Sequence, residues 1–319
     1  MFTDIPKRVL INEVVTRDGF QSEPDFVPTE TKVELINALA GLGLNKIEVT
    51  SFVSPRAVPN LSDAAEVIQA IRKDTPTRYV ALVPNQKGCA RALELGVDEI
   101  NLVMSVSESH NLANMRMTCD QSLQQFKDIA EMVSGTPMRL NGSLATTFGC
   151  PFEGQQSQER ILRFVDAYLE RGLHSLTLAD TTGMAVPNQV QSLCEEVRKR
   201  WPELELTLHF HNTRGLGLAN VYAALAAGVN QFDASLGGLG GCPFAPGATG
   251  NICTEDLVHM LSEMGLDTGV DLDGLLLQSQ RLEEIVNHDL PGQVRKAGKR
   301  SDTRPLPQSV KELMQNGRS

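Results

Sequence analysis

His209 and His211, in "TLHFHNTRG", close an apolar, alternating run and are followed by Asn212 and Arg214. Residues two apart on a strand share a face, so both imidazoles point to one side. Pointing inward at the mouth of a barrel, they form a two-nitrogen clamp. Near the start of the chain, "TRDGFQ" supplies Arg17, Asp18 and Gln21. Two histidines and the Asp18 carboxylate, with positions left open, suit a divalent ion of the Mg2+, Mn2+, Fe2+, Co2+ or Zn2+ group. No cysteine is forced into the set, which argues against structural zinc. Taken without context, an HxH is as easily a packed or surface feature of a strand.

Further polar residues fall where strands end. Glu48 and Ser51 lie in "KIEVTSF", and Asp180 in "ADTTG" reads equally as a helix cap or a site carboxylate. The stretch "LGGLGGCPFAPGATGN", Leu236 to Asn251, reads as a mobile loop that closes over a site and excludes water. At its centre Cys242 is either an inert small residue or a proton donor or nucleophile. The run lacks the GK[ST] of a phosphate-cradling loop. His110, His174, His259 and His288 lie away from the strand ends and read as structural or solvated; Glu195/Glu196 and Glu283/Glu284 read as solvated helix faces.

Eight β-rich runs position these residues: those beginning at Val9, Lys46, Arg78, Glu99, Met138, Ser175, Leu206 and Gln231. Segments of helical period alternate with them, the pattern of βα units around a parallel sheet. The first helix, "PTETKVELINALAGLG", is expected to take Thr29 as its N-cap, with Lys32 where a capping-box acid would sit. Eight uninterrupted units favour a closed (β/α)8 TIM barrel over an open doubly wound sheet, and no GxGxxG follows the first strand. The expected organisation is a catalytic barrel over residues 1–268, then a C-terminal helix and partly ordered tail over 269–319.

A chain of 319 residues, 41% hydrophobic and 21% charged, has ordinary globular composition and can bury a large core. Its net charge of -10, with no Lys/Arg block, argues against nucleic acid or a membrane surface as partner. The six cysteines form no CxxC, so they read as reduced thiols. Neither a signal core nor a membrane-spanning run is found, and the expected location is the cytoplasm.

The motifs "RDGFQSE", "IEVTSFVSP", "FGCPFEG", "LADTTG", "HFHNTRG" and "GGLGGCPFAPGATGN", in this order, resemble those of the hydroxymethylglutaryl-CoA lyases over about Val9 to Leu272. The resemblance implies a retro-Claisen cleavage of an acyl-CoA ester to acetyl-CoA and a keto acid, acetoacetate in the type reaction of leucine degradation and ketone-body formation. It implies Asp18, His209, His211 and Asn251 as ligands of Mg2+ or Mn2+, Arg17 as the enolate-stabilising arginine, Cys242 as the catalytic loop cysteine, and Glu48 and Asp180 as acidic residues around the site. A homodimer or higher homo-oligomer follows by the same resemblance, with the helix from about Val270 as a contact. Gln21, Ser51, Arg17 and Arg214 are the expected substrate-binding residues. Four positions depart from the animal members of the family: Pro24 replaces Lys, Asn212 Asp, Arg214 Tyr, and Ser143 Tyr. The loss of an anion at 212 and gain of a cation at 214 suggest a substrate with another carboxylate, such as a citramalyl-CoA-like or longer glutaryl-CoA ester. The competing readings are a Claisen-type acyltransferase, a pyruvate-releasing aldolase without CoA, and a non-catalytic barrel whose HxH is structural.

Overall fold

The computed structural model describes residues 5–241 and 250–316. Eight parallel strands close into a barrel in chain order. They are β1 (Leu10–Glu13), β2 (Lys46–Ser51), β3 (Arg78–Leu82), β4 (Glu99–Ser105), β5 (Arg139–Ala145), β6 (Ser175–Asp180), β7 (Glu205–Phe210) and β8 (Gln231–Ala234). Closure is made by β8 on β1, with Leu10 opposite Gln231 and Glu13 opposite Ala234. The TIM barrel expected from the βα alternation is the fold.

The outward positions of the strands, such as Ile47, Val49, Ile100, Leu102, Leu176 and Leu208, are buried against the surrounding helices. These are α1 (Thr29–Ala40), α2 (Ala64–Ala70), α3 (Gln86–Leu95), α4 (Glu108–Met115), α5 (Cys119–Val133), α6 (Gln158–Leu169), α7 (Pro187–Arg200), α8 (Gly217–Ala226) and α9 (Thr254–Glu263). Beyond them come α10 (Leu272–Val286), α11 (Val294–Ala297) and α12 (Gln308–Asn316). None of the described helices is long and apolar enough to cross a membrane. The inward positions are polar instead. At the barrel floor Lys46 bridges Glu99 and Glu205 at 2.9 Å each. Arg78 meets Glu99 at 3.0 Å, and Arg139 meets Glu205 at 2.6 Å. Opposite charges distributed over five strands close that end, as a buried charge requires a partner.

The N-terminus of α1 differs from the sequence expectation. Pro28 is the N-cap, Thr29 is the first helical residue, and the Thr29 hydroxyl donates to Asp63 at 2.8 Å. Lys32 holds no capping role: its ammonium is buried, 2.8 Å from Asp63 Oδ1, and donates to the Asn60 carbonyl. The tertiary ion pair takes both residues from the local cap, tying α1 to the approach of α2.

Glu13 ends β1 wholly buried. Its Oε1 accepts from the N–H groups of Val15 and Leu236, both at 2.9 Å, while Oε2 and the Thr254 hydroxyl are hydrogen-bonded at 2.7 Å. Burial pushes the carboxyl pKa up to about 8, against the lowering pull of these bonds. The folded value lies above the unfolded one, so the protonated side chain stabilises the fold fully below the ordinary glutamate pKa of about 4.3. That contribution is lost as pH rises through 8. Glu13→Gln presents one acceptor and one donor to the same partners. The variant is expected to flatten the decline in urea midpoint that the wild type shows between about pH 5 and pH 8; identical slopes in the two proteins would refute the assignment.

Candidate active site

Past β1 the chain makes one turn of π-helix, Val15–Gly19, in which the Arg17 and Asp18 amides both reach the Val14 carbonyl, at 3.2 and 2.8 Å. The turn sets two adjacent charged side chains at the barrel mouth. Arg17 Nε and Nη2 each lie 2.5 Å from Glu48 Oε2, and Nη1 lies 2.5 Å from Asp18 Oδ1. Glu48 is fixed in turn by the Asn101 amide at 3.0 Å. Burial penalises the Arg17 charge, but Glu48 and Asp18 outweigh the penalty and raise its pKa, so the guanidinium is a permanent cation.

Across the mouth, His209 and His211 share the inner face of β7 and its extension. Their Nε2 atoms face each other at 3.2 Å. His211 bridges to Asn251 on the returning chain, and the amide of Asn212 donates to the Gly250 carbonyl at 2.9 Å. This pairing brings Asn251 Nδ2 to 2.7 Å from Asp18 Oδ2, which itself lies 3.9 Å from His211 Nε2. Glycines allow the close approach: a Cβ on Gly240 would stand 2.7 Å from the Asp18 carbonyl oxygen, and one on Gly250 2.1 Å from the Gly238 carbonyl oxygen.

The donor atoms of Asp18, His209 and His211 lie within 4.8 Å of one another. The electrostatics fit a cation there. Burial opposes the charge of Asp18, but Arg17 and the two histidines hold its carboxyl well below the usual range. Burial and then the neighbouring His209 push His211 down to about 4, leaving it a neutral ring with a lone pair. Burial also lowers His209, but the bond of Asp233 Oδ2 to its Nδ1, at 3.2 Å, and the charge of Asp18 raise it overall. Asn251 Oδ1 is buried without a described hydrogen-bond partner. Two imidazoles, a carboxylate and an amide oxygen form a donor set for a divalent ion.

A cavity of about 160 Å³ opens above the cluster. Arg17, Asp18, Gln21, His209 and His211 line it, so the structure brings these expected residues together. Glu48 lies one layer deeper, behind Arg17. The remaining expected residues lie elsewhere. The Ser51 hydroxyl oxygen accepts from the Val53 amide at 3.1 Å in the turn after β2. Asp180 Oδ1 accepts from the Met184 and Ala185 amides at 2.7 and 3.0 Å in the turn before α7, whose N-cap is Val186, so it caps no helix, and burial pushes its pKa up to about 6. Arg214 donates to the carbonyls of Thr182 and Gly183 at 2.9 and 2.8 Å, so its charge binds the loop after β6 and is not in the cavity lining. Asn212 accepts from the Gly217 amide at 3.0 Å. Cys242 lies outside the described residues.

Sequence reasoning missed Asp233 and His110, both in the cavity wall. Asp233 stands alone on β8 in "QFDASL", and its link to His209 spans 24 residues. His110, expected to be structural or solvated, sits on the short helix α4, whose N-cap, Ser107 in "SESHN", was its signal. Outer partners of metal-binding histidines fix their orientation, and losing one typically costs 10- to 100-fold in metal affinity. Asp233→Asn is therefore expected to weaken Mn2+ binding by roughly 10- to 100-fold in calorimetric titration of chelator-stripped protein; unchanged affinity would remove Asp233 from the site.

Residues 8–281 match the family model described as HMGL-like. The hydroxymethylglutaryl-CoA lyase of Bacillus subtilis is 43% identical over 90% of this chain and 96% of its own. The (R)-citramalyl-CoA lyase of Chloroflexus aurantiacus is 41% identical over 91% of this chain and 95% of its own. Among solved structures, an HMG-CoA lyase from Acinetobacter baumannii in complex with coenzyme A and 3-methylmalate superposes with a TM-score of 0.91 at 53% identity, covering 94% of this chain and 98% of the other. An HMGL-like model matched from β1 into α10, with these relatives over nearly the whole chain, makes this protein a member of the HMGL-like family of carbon–carbon lyases.

Proposed function

We propose that the cavity cleaves 3-hydroxy-3-methylglutaryl-CoA by a retro-Claisen reaction to acetyl-CoA and acetoacetate. The observation that carries the proposal is a metal-ligand cluster, Asp18, His209 and His211, opening on the same cavity as a buried, permanently charged arginine. Mg2+ or Mn2+ would be held by those three residues and Asn251. When bound, such an ion supplies Lewis acidity that makes the substrate's tertiary hydroxyl more acidic.

The chain's own residues account for the rest. The hydroxyl proton is received within the cavity by His209, whose Nδ1 is bonded to Asp233, or by Asp18. As the carbon–carbon bond breaks, negative charge collects on the thioester oxygen, and the Arg17 guanidinium, locked by Glu48, is already in place to receive it. Arg17 and Glu48 are buried, so that interaction is stronger than in bulk solvent. Cys242, at the centre of the Gly-rich stretch, delivers the proton to the acetyl-CoA carbanion. The same reading takes the enzyme to be a cytoplasmic homodimer with α10 at the contact, where Leu277 is 62% exposed.

The second ester to test is citramalyl-CoA, one methylene shorter, because the Chloroflexus relative is almost as similar as the Bacillus one. Arg214, the cation expected to favour another carboxylate, is engaged with backbone carbonyls. Chelator-stripped protein is expected to release no acetyl-CoA from hydroxymethylglutaryl-CoA and to regain turnover on addition of Mn2+ or Mg2+. Failure of the metal-loaded protein to cleave either ester would refute the lyase reading. Arg17→Gln is expected to lower kcat by roughly 10²- to 10³-fold, the usual cost of losing one oxyanion donor, in the same acetyl-CoA assay. A KM effect alone would show that Arg17 only binds substrate.

A further inference from the structure

Asn12, Asp233 and His209 occupy one rung of the barrel. Asn12 on β1 is in register with Asp233 on β8, and Asp233 with His209 on β7. Residues side by side in a parallel sheet point to the same face, and these three side chains meet inside the barrel. Asn12 Nδ2 lies 2.8 Å from Asp233 Oδ1, and Asp233 Oδ2 lies 3.2 Å from His209 Nδ1. The string continues away from the site: Asn45, immediately before β2, donates from Nδ2 to Asn12 Oδ1 at 2.9 Å. The Asn45 backbone is fixed on both sides, its amide donating to the Ile11 carbonyl at 2.9 Å and its carbonyl accepting from the Arg78 amide at 3.2 Å. The reaction proposed above uses neither asparagine.

The chemistry of these groups gives the string a direction. A carboxylate only accepts hydrogen bonds, whereas an amide has one accepting and one donating end. Asp233 therefore takes the donating end of Asn12 on one oxygen and the Nδ1 proton of His209 on the other. The Asn12 oxygen is left facing Asn45, whose amide then presents its nitrogen. With its proton on Nδ1, His209 turns the Nε2 lone pair towards the ligand cluster with Asp18 and His211. The Asp233 carboxylate also has other cations within reach. A cavity of about 30 Å³ beside it is lined by Asn12, Lys46 and Glu48, and its charge is felt at Arg17. Lys46 and Arg17 thus compete with His209 for the carboxylate. Among the described contacts, Asn12 Nδ2 is the one donor that holds Oδ1.

On the reading of His209 as a metal ligand, we propose that Asn12 is a positioning residue for the metal centre: its amide, oriented by Asn45, holds the Asp233 carboxylate against His209 and away from Lys46 and Arg17. Asn12 is buried and is not in the wall of the cavity that opens on the ligands, so it acts through Asp233. The direction of the His209 ring is thereby set from β1 and β8 as well as from its own strand, and the orientation of an amide before β2 reaches the metal ligands through two further side chains.

The test is calorimetric titration of the full-length, chelator-stripped protein with Mn2+, made in the wild-type and in the Asp233→Asn background. Asn12→Leu keeps the size of the side chain and removes both ends of its amide. Asn45→Asp, at a half-buried position, leaves Asn12 in place but offers it a second acceptor, so the Asn12 nitrogen is drawn away from Asp233. We expect each change to weaken Mn2+ binding by roughly 5- to 10-fold, at or below the low end of what losing a direct outer partner costs. In the Asp233→Asn background we expect either change to move the affinity by less than about twofold, because residues that act through one another are not additive. The same loss in both backgrounds would assign Asn12 a structural role and overturn the proposal, as would unchanged affinity in the wild-type background. Thermal midpoints check folding; if Asn12→Leu does not fold, Asn45→Asp carries the same comparison. Wild-type protein that binds no Mn2+ would refute the metal-ligand reading of His209 and the proposal with it, whereas wild-type binding without the expected coupling would overturn the role of Asn12 alone.

Discussion

A guanidinium buried at the mouth of a barrel is the constraint on which the rest of the site depends. Taking a cation from water costs several kcal/mol after relaxation, so Arg17 can remain there only with anions on both sides. Glu48 supplies one from β2, and Asp18, its own neighbour in the chain, supplies the other. Asp18 therefore has two functions. One oxygen neutralises Arg17, and the other faces Asn251 and His211 among the candidate metal ligands. A cation held by the ligand cluster draws on the same carboxylate that offsets the guanidinium. A cation held there would leave Arg17 less neutralised. The candidate metal ligands and the guanidinium are one electrostatic unit joined through a single side chain.

The barrel makes this arrangement possible because its strands are buried on both faces with opposite character. Outward residues are aliphatic and carry the hydrophobic stabilisation of the helical shell. Inward residues form polar layers in place of the branched apolar layers common in this fold. The ion pairs of Lys46, Arg78 and Arg139 close the floor, the amides of Asn101 and Asn141 occupy the middle, and the imidazoles stand at the top. Asn101 joins Glu48 to Asn141 and Ser143, so the position of Arg17 is fixed from three different strands.

Much of this was legible in the sequence, for a physical reason. The βα period follows from local hydrophobic patterning, and the histidine pair from the two-residue period of a strand, both of which a short window contains. Asp18 and Asn251 were placed by their motifs. Asp233 was not, because proximity across a closed barrel depends on which strands are neighbours and at what register, and no spacing encodes the 24 residues between it and His209. Thr29 failed as an N-cap for a related reason: Asp63, 34 residues away, draws both its hydroxyl and the Lys32 ammonium. Arg214 looked like a substrate cation by composition, yet two backbone carbonyls after β6 occupy its guanidinium. His110 was passed over because the helix carrying it, α4, is an insertion between β4 and the helix that the pattern did show.

The helix beyond the barrel belongs to the same construction. Ser279 on α10 donates to Glu255 Oε1 at 2.5 Å, and Glu255 Oε2 accepts from the Gly237 amide at 3.0 Å. One residue earlier, Leu236 donates to Glu13. Two buried carboxylates thus grip consecutive amides in the turn after β8, one reaching from β1 and the other from α9 with α10 behind it. Gly240, four residues after Leu236, lies against the Asp18 backbone, where even a methyl group would not fit. The chain leading to Cys242 is therefore tied to the Arg17–Asp18 turn at its root, and the returning chain at Asn251 is tied to the same carboxylate. Both described ends of the Gly-rich stretch converge on Asp18, held there by the same interactions that hold the site's charges in place.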